Sequence, residues 1–417
     1  MDNLTHALVG LLCAEGVVRV AERRRTFDPW CRTAIYAFAI IGNNLPDLDF
    51  CYASISGKTF GYLLQHRGYT HTVPAAFAFA LAMLAALWGL CKRRGKRLLG
   101  AEWRILGVIA LVSPLLHLIM DFANNYGVHP FWPVYSGWFY GDALFILEPS
   151  LWLVIIAPLS LSYRSKWLRV GSWLVLGAAL VALYYRPLVP RGHAVFLSLL
   201  TLLLLVLARR IRPDTRALLA GSCFVLLIAS FVIGSQWAKG IAREQVALAF
   251  PGARTLDIVA TPMPANPFCW SVLIVQLDGA SYVVRLGRAA TWPGWLDVNA
   301  CPSDTRANPS APRHQSTGPV NARLSLQSEY RVPLVELVAL LSGRCEARAF
   351  ARFARVPYVT EKAAGGARIL GDLRYDRNPG LDFSDLSLPE RERAEQCPKH
   401  VPAWVPPRSD LLSEARH

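Results

Sequence analysis

Charge is scarce in this chain. Of its 417 residues only 18% are Asp, Glu, Lys or Arg, against 53% hydrophobic, and its mean hydropathy is +0.30. That balance excludes an ordinary soluble globular protein and places the chain in a membrane. Other signatures are missing too. No Gly-rich phosphate loop occurs, so the sequence offers no ground for nucleotide dependence. The cysteines follow no zinc-knuckle spacing. The apolar stretch from Leu8 to Val20 lacks the basic flank and small-residue cleavage site of a signal peptide, carrying Asp2 instead, and is expected to stay in the mature protein.

What the chain has in abundance is apolar runs near the roughly 20 residues that cross a hydrocarbon core as a helix. They are Thr72 to Leu90, Trp103 to Met120, Leu144 to Tyr163, Trp167 to Tyr185 and Ala217 to Trp237, with a shorter but almost pure aliphatic run from Ala194 to Ala208. Thr5 to Val20 and Thr33 to Leu45 are weaker, interrupted by Glu15, Gly42 and Asn43, and predict short, tilted or internally packed helices. The count is about eight. The net charge of +15 does not point to nucleic acid, because the tight basic runs separate apolar segments and so set orientation. Arg23 to Arg25, Lys92 to Arg97, Arg164 with Lys166, and Arg209 to Arg212 fall in alternate loops, predicted to be cytoplasmic. Arg186 and Arg191 run mildly against this.

After Trp237 the texture changes. Alternating segments, Ser271 to Leu277 and Ser281 to Leu286, flank Asp278-Gly279-Ala280 and predict strands around a turn. Residues 301–320, rich in Pro, Ser, Asn and Thr, predict a long loop, and the chain after Leu388 a tail. Cys269, Cys301, Cys345 and Cys397 lie in this part. Their even number is compatible with disulfides outside the cytoplasm. Cys13, Cys31, Cys51, Cys91 and Cys223 lie in or near helices, where free Cys behaves as a small hydrophobe. The fold class expected is a multi-spanning α-helical membrane bundle with a C-terminal soluble β-rich α+β domain over residues 238–417.

Titratable groups are expensive beside apolar helices, and here they cluster. His117 and Asp121 are one helical turn apart and can share a metal, although such a pair often merely hydrogen-bonds. Asp47 and Asp49 follow Pro46, which ends the second helix; they can hold a cation or stand as solvated loop acids. His66 and His71 flank Arg67-Gly68-Tyr69-Thr70, where Gly68 lets the backbone turn so that both imidazoles converge. His6 stands with Asn3 and Thr5 at the start of the first helix. All emerge on one predicted face, enough for one metal with a shell of partners or for two metals.

Thr5-His6-Ala7-Leu8-Val9-Gly10, Pro46-Asp47-Leu48-Asp49, His66-Arg67-Gly68-Tyr69-Thr70-His71-Thr72 and His117-Leu118-Ile119-Met120-Asp121 with Asn125-Tyr126-Gly127 resemble the inner-membrane metal-dependent hydrolases of the YdjM type, described as LexA-regulated. The resemblance covers the first 150 residues. Asn266 to Trp270 and Arg352 to Pro357 are similar to segments of longer members, while Glu148-Pro149 stands where Asp-Pro is expected. The resemblance implies a metal-hydrolase region over residues 1–150, with further membrane helices over 151–237.

The residue types specify a chemistry. His6, Asp47, His66, His71, His117 and Asp121 are the expected ligands of a divalent metal, Zn²⁺ or Mn²⁺. Asp49 is expected to orient or deprotonate a water, and Arg67 to clamp an oxyanion or phosphate, or else to pair with a lipid headgroup or nearby acid. Asp142 and Glu148 are further candidates for the surrounding shell. Trp132, Tyr135, Trp138, Phe139 and Tyr140 fit an interfacial belt. A site at the outer face of a bacterial-type inner membrane meets the bilayer and a lipid-like substrate most easily, so the expected function is hydrolysis of an ester or phosphoester. The rival is a non-catalytic membrane protein with a structural or transport metal site. Nothing identifies a protein partner.

Overall fold

A computed structural model describes residues 1–417 apart from 25, 164, 186–188, 303–310, 316–317, 319–320, 361–367, 377–382, 389–396 and 415–417, and apart from the side chains of 58, 59, 413 and 414. Arg25, Arg164 and Arg186, most of the 301–320 loop and part of the C-terminal segment therefore lie outside the described residues.

Each apolar segment of the sequence forms a helix, and local chemistry fixes the ends nearest the site. Helix α1 (Asn3–Glu22) starts at Asp2, whose carboxylate accepts from the Thr5 N–H at 2.9 Å. Helix α2 (Pro29–Gly42) starts at Asp28 in the same way, and two 3-10 helices (Leu45–Cys51, Ala53–Ser56) and α3 (Lys58–Gln65) follow. Thr72 caps α4 (Val73–Arg94), with Pro74 in the first turn and Gly95 in the left-handed region (φ 60°) at the far end. Then come α5 (Gly100–Phe122), α6 (Pro149–Leu159), α7 (Lys166–Tyr185), α8 (Arg191–Arg210) and α9 (Pro213–Ala249).

Six of these, α1, α4, α5, α7, α8 and α9, are long and apolar enough to cross a membrane. The expectation of about eight spans thus resolves into six plus two partial ones. With 14 and 11 residues, α2 and α6 reach only ~21 and ~16 Å at 1.5 Å per residue. Helix α6 is apolar on all sides because α1, α7, α8 and α9 surround it, not because lipid does.

The first two helices cross at Gly10. A Cβ there would lie 2.4 Å from the Ala39 carbonyl oxygen, so only glycine permits the approach that brings the start of α1 to the end of α2. Gly10→Val is expected to force them apart, costing on the order of 1–3 kcal/mol. Thermal unfolding in detergent should show a lower midpoint, with His6, one turn earlier, displaced from the site.

Helix α9 has 37 residues, ~55 Å at helical rise, so it outruns the bilayer and carries the chain into the C-terminal domain. There β1 (Ala253–Met263), β2 (Asn266–Asp278), β3 (Ser281–Ala290), β4 (His314–Gln315) and β5 (Leu324–Pro333) form an antiparallel sheet in the order β1-β2-β3-β5-β4. The predicted turn is the β2-β3 hairpin, with Gly279 at φ 59°. Beyond it lie α10 (Leu334–Gly343), α11 (Cys345–Ala351), a small antiparallel sheet of β6 (Pro357–Val359), β7 (Arg368–Asp372) and β8 (Leu386–Leu388), and α12 (Ser409–Glu414). Phe231, Ile241 and Val246 of α9 join Trp270, Val272 and Ile274 of β2 in one buried cluster, so helix bundle and sheet share a core. Disulfides link Cys269 to Cys301 and Cys345 to Cys397. Cys13, Cys51, Cys91 and Cys223 are free thiols.

A buried ionic clasp ties the domain to the loop after α5. Arg355 forks onto Asp142 (2.8 and 2.9 Å), reaches Asp257 at 2.8 Å and lies over the Tyr140 ring at 4.0 Å. Lys239 of α9 adds a contact to Asp142 at 2.7 Å. Trp138 donates to the Arg352 carbonyl at 2.7 Å. Two members of the expected aromatic belt, Trp138 and Tyr140, are therefore covered by the domain, whereas Tyr135 is exposed.

Candidate metal centre

One end of the bundle gathers the polar stretches. The start of α1, the 3-10 turn after α2, the turn before α4 and the last turn of α5 meet there, and His6, Asp47, Asp49, His66, Arg67, His71, His117 and Asp121 are all buried. Asp47, His71, His117 and Asp121 each direct one ligand atom into a group whose members lie within 4.8 Å of one another. The two imidazole Nε2 atoms are 3.0 Å apart. Asp121 Oδ2 is 3.2 Å from His71 Nε2 and 3.4 Å from His117 Nε2, and Asp47 Oδ1 is 3.5 and 3.6 Å from the same atoms. A tetrahedral ion bound at ~2.05 Å separates its ligands by roughly 3.3 Å. The residues fit the group.

Outer contacts aim these ligands inward. His117 donates from Nδ1 to the Asn43 carbonyl at 2.8 Å, leaving the Nε2 lone pair to the cluster. His71 Nδ1 faces Asp49 Oδ2 at 3.2 Å and Thr70 Oγ1 at 3.1 Å. Asp47 accepts from the Asn3 amide at 3.1 Å. Asp121 Oδ2 is buried without a hydrogen bond although three nitrogens surround it, the nearest being Arg67 Nε at 2.9 Å. A buried carboxylate oxygen in that position suits a cation. The cluster holds three carboxylates, Asp47, Asp49 and Asp121, against two fixed cations, the Arg67 guanidinium and the Met1 amino group, both on Asp121, so negative charge is in excess. Burial disfavours a charged His71, yet the carboxylates of Asp121, Asp47 and Asp49 beside its ring nitrogens carry its pKa up to about 10. The cluster draws positive charge into its centre.

The other expected residues lie around these four. His6 stacks on the His117 ring at 3.7 Å and reaches Asp121 Oδ1 with Nε2 at 3.3 Å, flanking the ligands. His66 forms a second group with Asp47 and Asp49. Its Nδ1 is 3.0 Å from Asp49 Oδ1, and its ring packs against Phe50 and Tyr62, with ring centres at 4.7 and 4.8 Å. Asp49 also accepts from the Arg67 N–H at 2.8 Å and from Thr70 Oγ1 at 3.2 Å. Replacing Asp49 by Asn is expected to weaken metal binding about 10- to 100-fold, the usual cost of losing a partner that orients a ligand. Equilibrium dialysis against graded chelator measures it; unchanged affinity contradicts the orienting role.

Arg67 adopts φ 59°, a left-handed conformation unusual for a residue with a side chain. The reversal expected at Gly68 is thus made by Arg67. Its Nη1 donates to Asn124 Oδ1 at 2.8 Å and its guanidinium lies 5.0 Å from the Tyr126 ring centre. Asn124 was not foreseen; its signal is a polar residue just beyond Asp121 at the end of the same helix.

Two expected neighbours serve elsewhere. Glu148 caps α6 through Ser150 and accepts from the Ala265 N–H at 3.1 Å, tying the helix to the β1-β2 hairpin. Asp142 belongs to the Arg355 clasp.

Comparison with known proteins follows the same division. The uncharacterized protein YfhP of Bacillus subtilis (strain 168) is 23% identical over 163 residues, which is 39% of this chain and 46% of that relative, so the match spans about half its length. No solved structure matches. The region that holds the whole cluster, residues 1–189, matches the family model described as YdjM inner membrane protein.

Proposed function

We propose that the chain is a membrane-bound metal-dependent hydrolase of an ester or phosphoester in a lipid-like substrate. The observation that carries this reading is the convergence of His71, His117, Asp47 and Asp121 at tetrahedral ligand spacing. A bound divalent cation supplies Lewis acidity and a lowered pKa for coordinated water. Around it, Asp49 holds the His71 and His66 rings through their Nδ1 atoms, and His66 Nε2 is then the atom at which a proton is taken or given. Arg67 keeps Asp121 in register with Nε and presents Nη2 to an anionic oxygen of the substrate.

Two observations support an extracytoplasmic site. Helix α4 begins at the cluster and ends in Lys92, Arg93 and Arg94, and α1 runs from His6 to Arg23, so basic groups sit at the end remote from the site. The disulfide-bearing domain packs on the site's end, as suits an oxidising compartment.

One observation favours the rival reading, a structural or transport metal. Four protein ligands saturate a tetrahedral ion, whereas catalytic zinc keeps a position open. An octahedral Mn²⁺ leaves two positions free in the same cage. Metal-loaded protein in mixed micelles, assayed against phosphoester and carboxylic ester lipids, separates the readings. Turnover lost in His66→Ala and Arg67→Gln with metal content retained supports the hydrolase. A loaded, folded protein that turns over neither lipid class supports the rival.

A further inference from the structure

The chain after Leu388, expected to be a tail, returns over residues 397–412 to the end of the bundle that holds the metal cluster. Trp404 is almost wholly buried there. Its indole N–H donates to the Leu64 carbonyl at 3.0 Å, and its ring stacks on His129 at 3.9 Å and meets Tyr69 at 5.0 Å. The backbone on either side is pinned as well. The His400 carbonyl accepts from Gln65 Nε2 at 3.0 Å, the Pro402 carbonyl from Arg352 Nη1 at 2.6 Å, and the Val405 N–H donates to the Ser136 carbonyl at 3.1 Å.

The segment lies against the turn that carries His66, Arg67 and His71. A Cβ on Gly68 would be 3.3 Å from Trp404 Cζ2 and 2.8 Å from the Gln65 carbonyl oxygen. Gly68 therefore fits between the indole and the preceding backbone, and the side-chain-bearing reversal falls on Arg67. A left-handed Arg persists only where its surroundings over-determine it. At the other end of the segment, Cys397 is bonded to Cys345 at the start of α11, which fixes the segment covalently to the domain.

We propose that Trp404 is a positioning residue for the 65–71 turn, and through it for His71 and Arg67, and that the Cys345–Cys397 disulfide keeps it seated. The effect on metal rests on the reading of the cluster as a metal centre; the effect on the turn does not.

Two readouts keep these apart: amide hydrogen exchange over residues 65–71 and metal retained after dialysis against chelator, both on the full-length protein in detergent. Trp404→Ala and the Cys345→Ser/Cys397→Ser pair are expected to speed exchange locally and lower metal affinity about tenfold, the lower end for a lost outer partner. Trp404→Phe, which keeps the stacked ring, should recover most of both. The Cys269→Ser/Cys301→Ser pair, which removes the disulfide beside the five-stranded sheet, should leave the turn unchanged. Unchanged exchange in Trp404→Ala, or equal loosening in the Cys269/Cys301 pair, overturns the proposal. Local loosening in a protein that takes up no metal upholds the turn-positioning role and refutes the metal reading.

Discussion

Replacing His71 by alanine is expected to abolish metal binding, reducing content from about one ion per chain to below about a tenth of that after gel filtration. His71 contributes more than one of four ligands. Its ring stands between Asp47, Asp49 and Asp121, all within 3.5 Å of a ring nitrogen, so its loss also leaves buried carboxylates facing one another. Breaking a buried charge cluster on one side costs on the order of 3–5 kcal/mol, and the thermal midpoint should fall together with the metal. His117→Ala separates the two contributions. It removes a ligand whose Nδ1 is held by the Asn43 carbonyl without taking a contact from Asp49, so metal should be lost with a smaller change in stability. Plasma mass spectrometry on both variants, with folding checked by circular dichroism, reads the difference. Full metal content in either variant contradicts the assignment.

Arg355→Met is expected to loosen the seating of the C-terminal domain on the loop after α5. The guanidinium is enclosed by Asp142, Asp257 and the Tyr140 ring, and methionine keeps some of the volume while leaving both carboxylates without their main partner. A cost of about 3–5 kcal/mol follows for breaking such a pair from one side. Because the clasp joins the loop after α5 to the segment before β6, the loss should appear as faster amide hydrogen exchange and proteolysis in those two segments, with the bundle intact. A double variant, Arg355→Met with Asp142→Asn, should recover part of the loss. Acid acts on the same contact. Burial pushes the Asp257 carboxyl up, but the Arg355 guanidinium outweighs it and brings the pKa down to about 2. A depressed folded-state pKa gives stability that is present above about pH 4 and disappears as pH falls towards 2.

Much of this was legible in the residues. The membrane class, the helical segments, the β2-β3 hairpin around Gly279 and the meeting of four polar stretches follow from hydropathy, alternation and the cost of burying charge. The division of labour within the cluster was not. Sequence placed His6 and His66 among the ligands with the same force as His71 and His117, because spacing says which faces residues share but not which nitrogen is already taken. The Asn43 carbonyl on His117 and the Asp49 carboxylate between His66 and His71 show which ring nitrogens are already taken. The short helices misled in the other direction. An apolar run such as Leu144 to Tyr163 reads alike whether lipid or protein surrounds it, and α6 proves to be encased by its neighbours. Trp404, in a Pro-rich stretch with no periodicity, carried no signal of its docking; long-range contacts of that kind have no local pattern.

The most direct test of the central claim is the metal content of folded wild-type protein, purified in detergent without chelator and then titrated with Zn²⁺ and Mn²⁺. The account predicts uptake saturating at about one ion per chain, tight enough to survive gel filtration. A well-folded protein that takes up neither ion contradicts it.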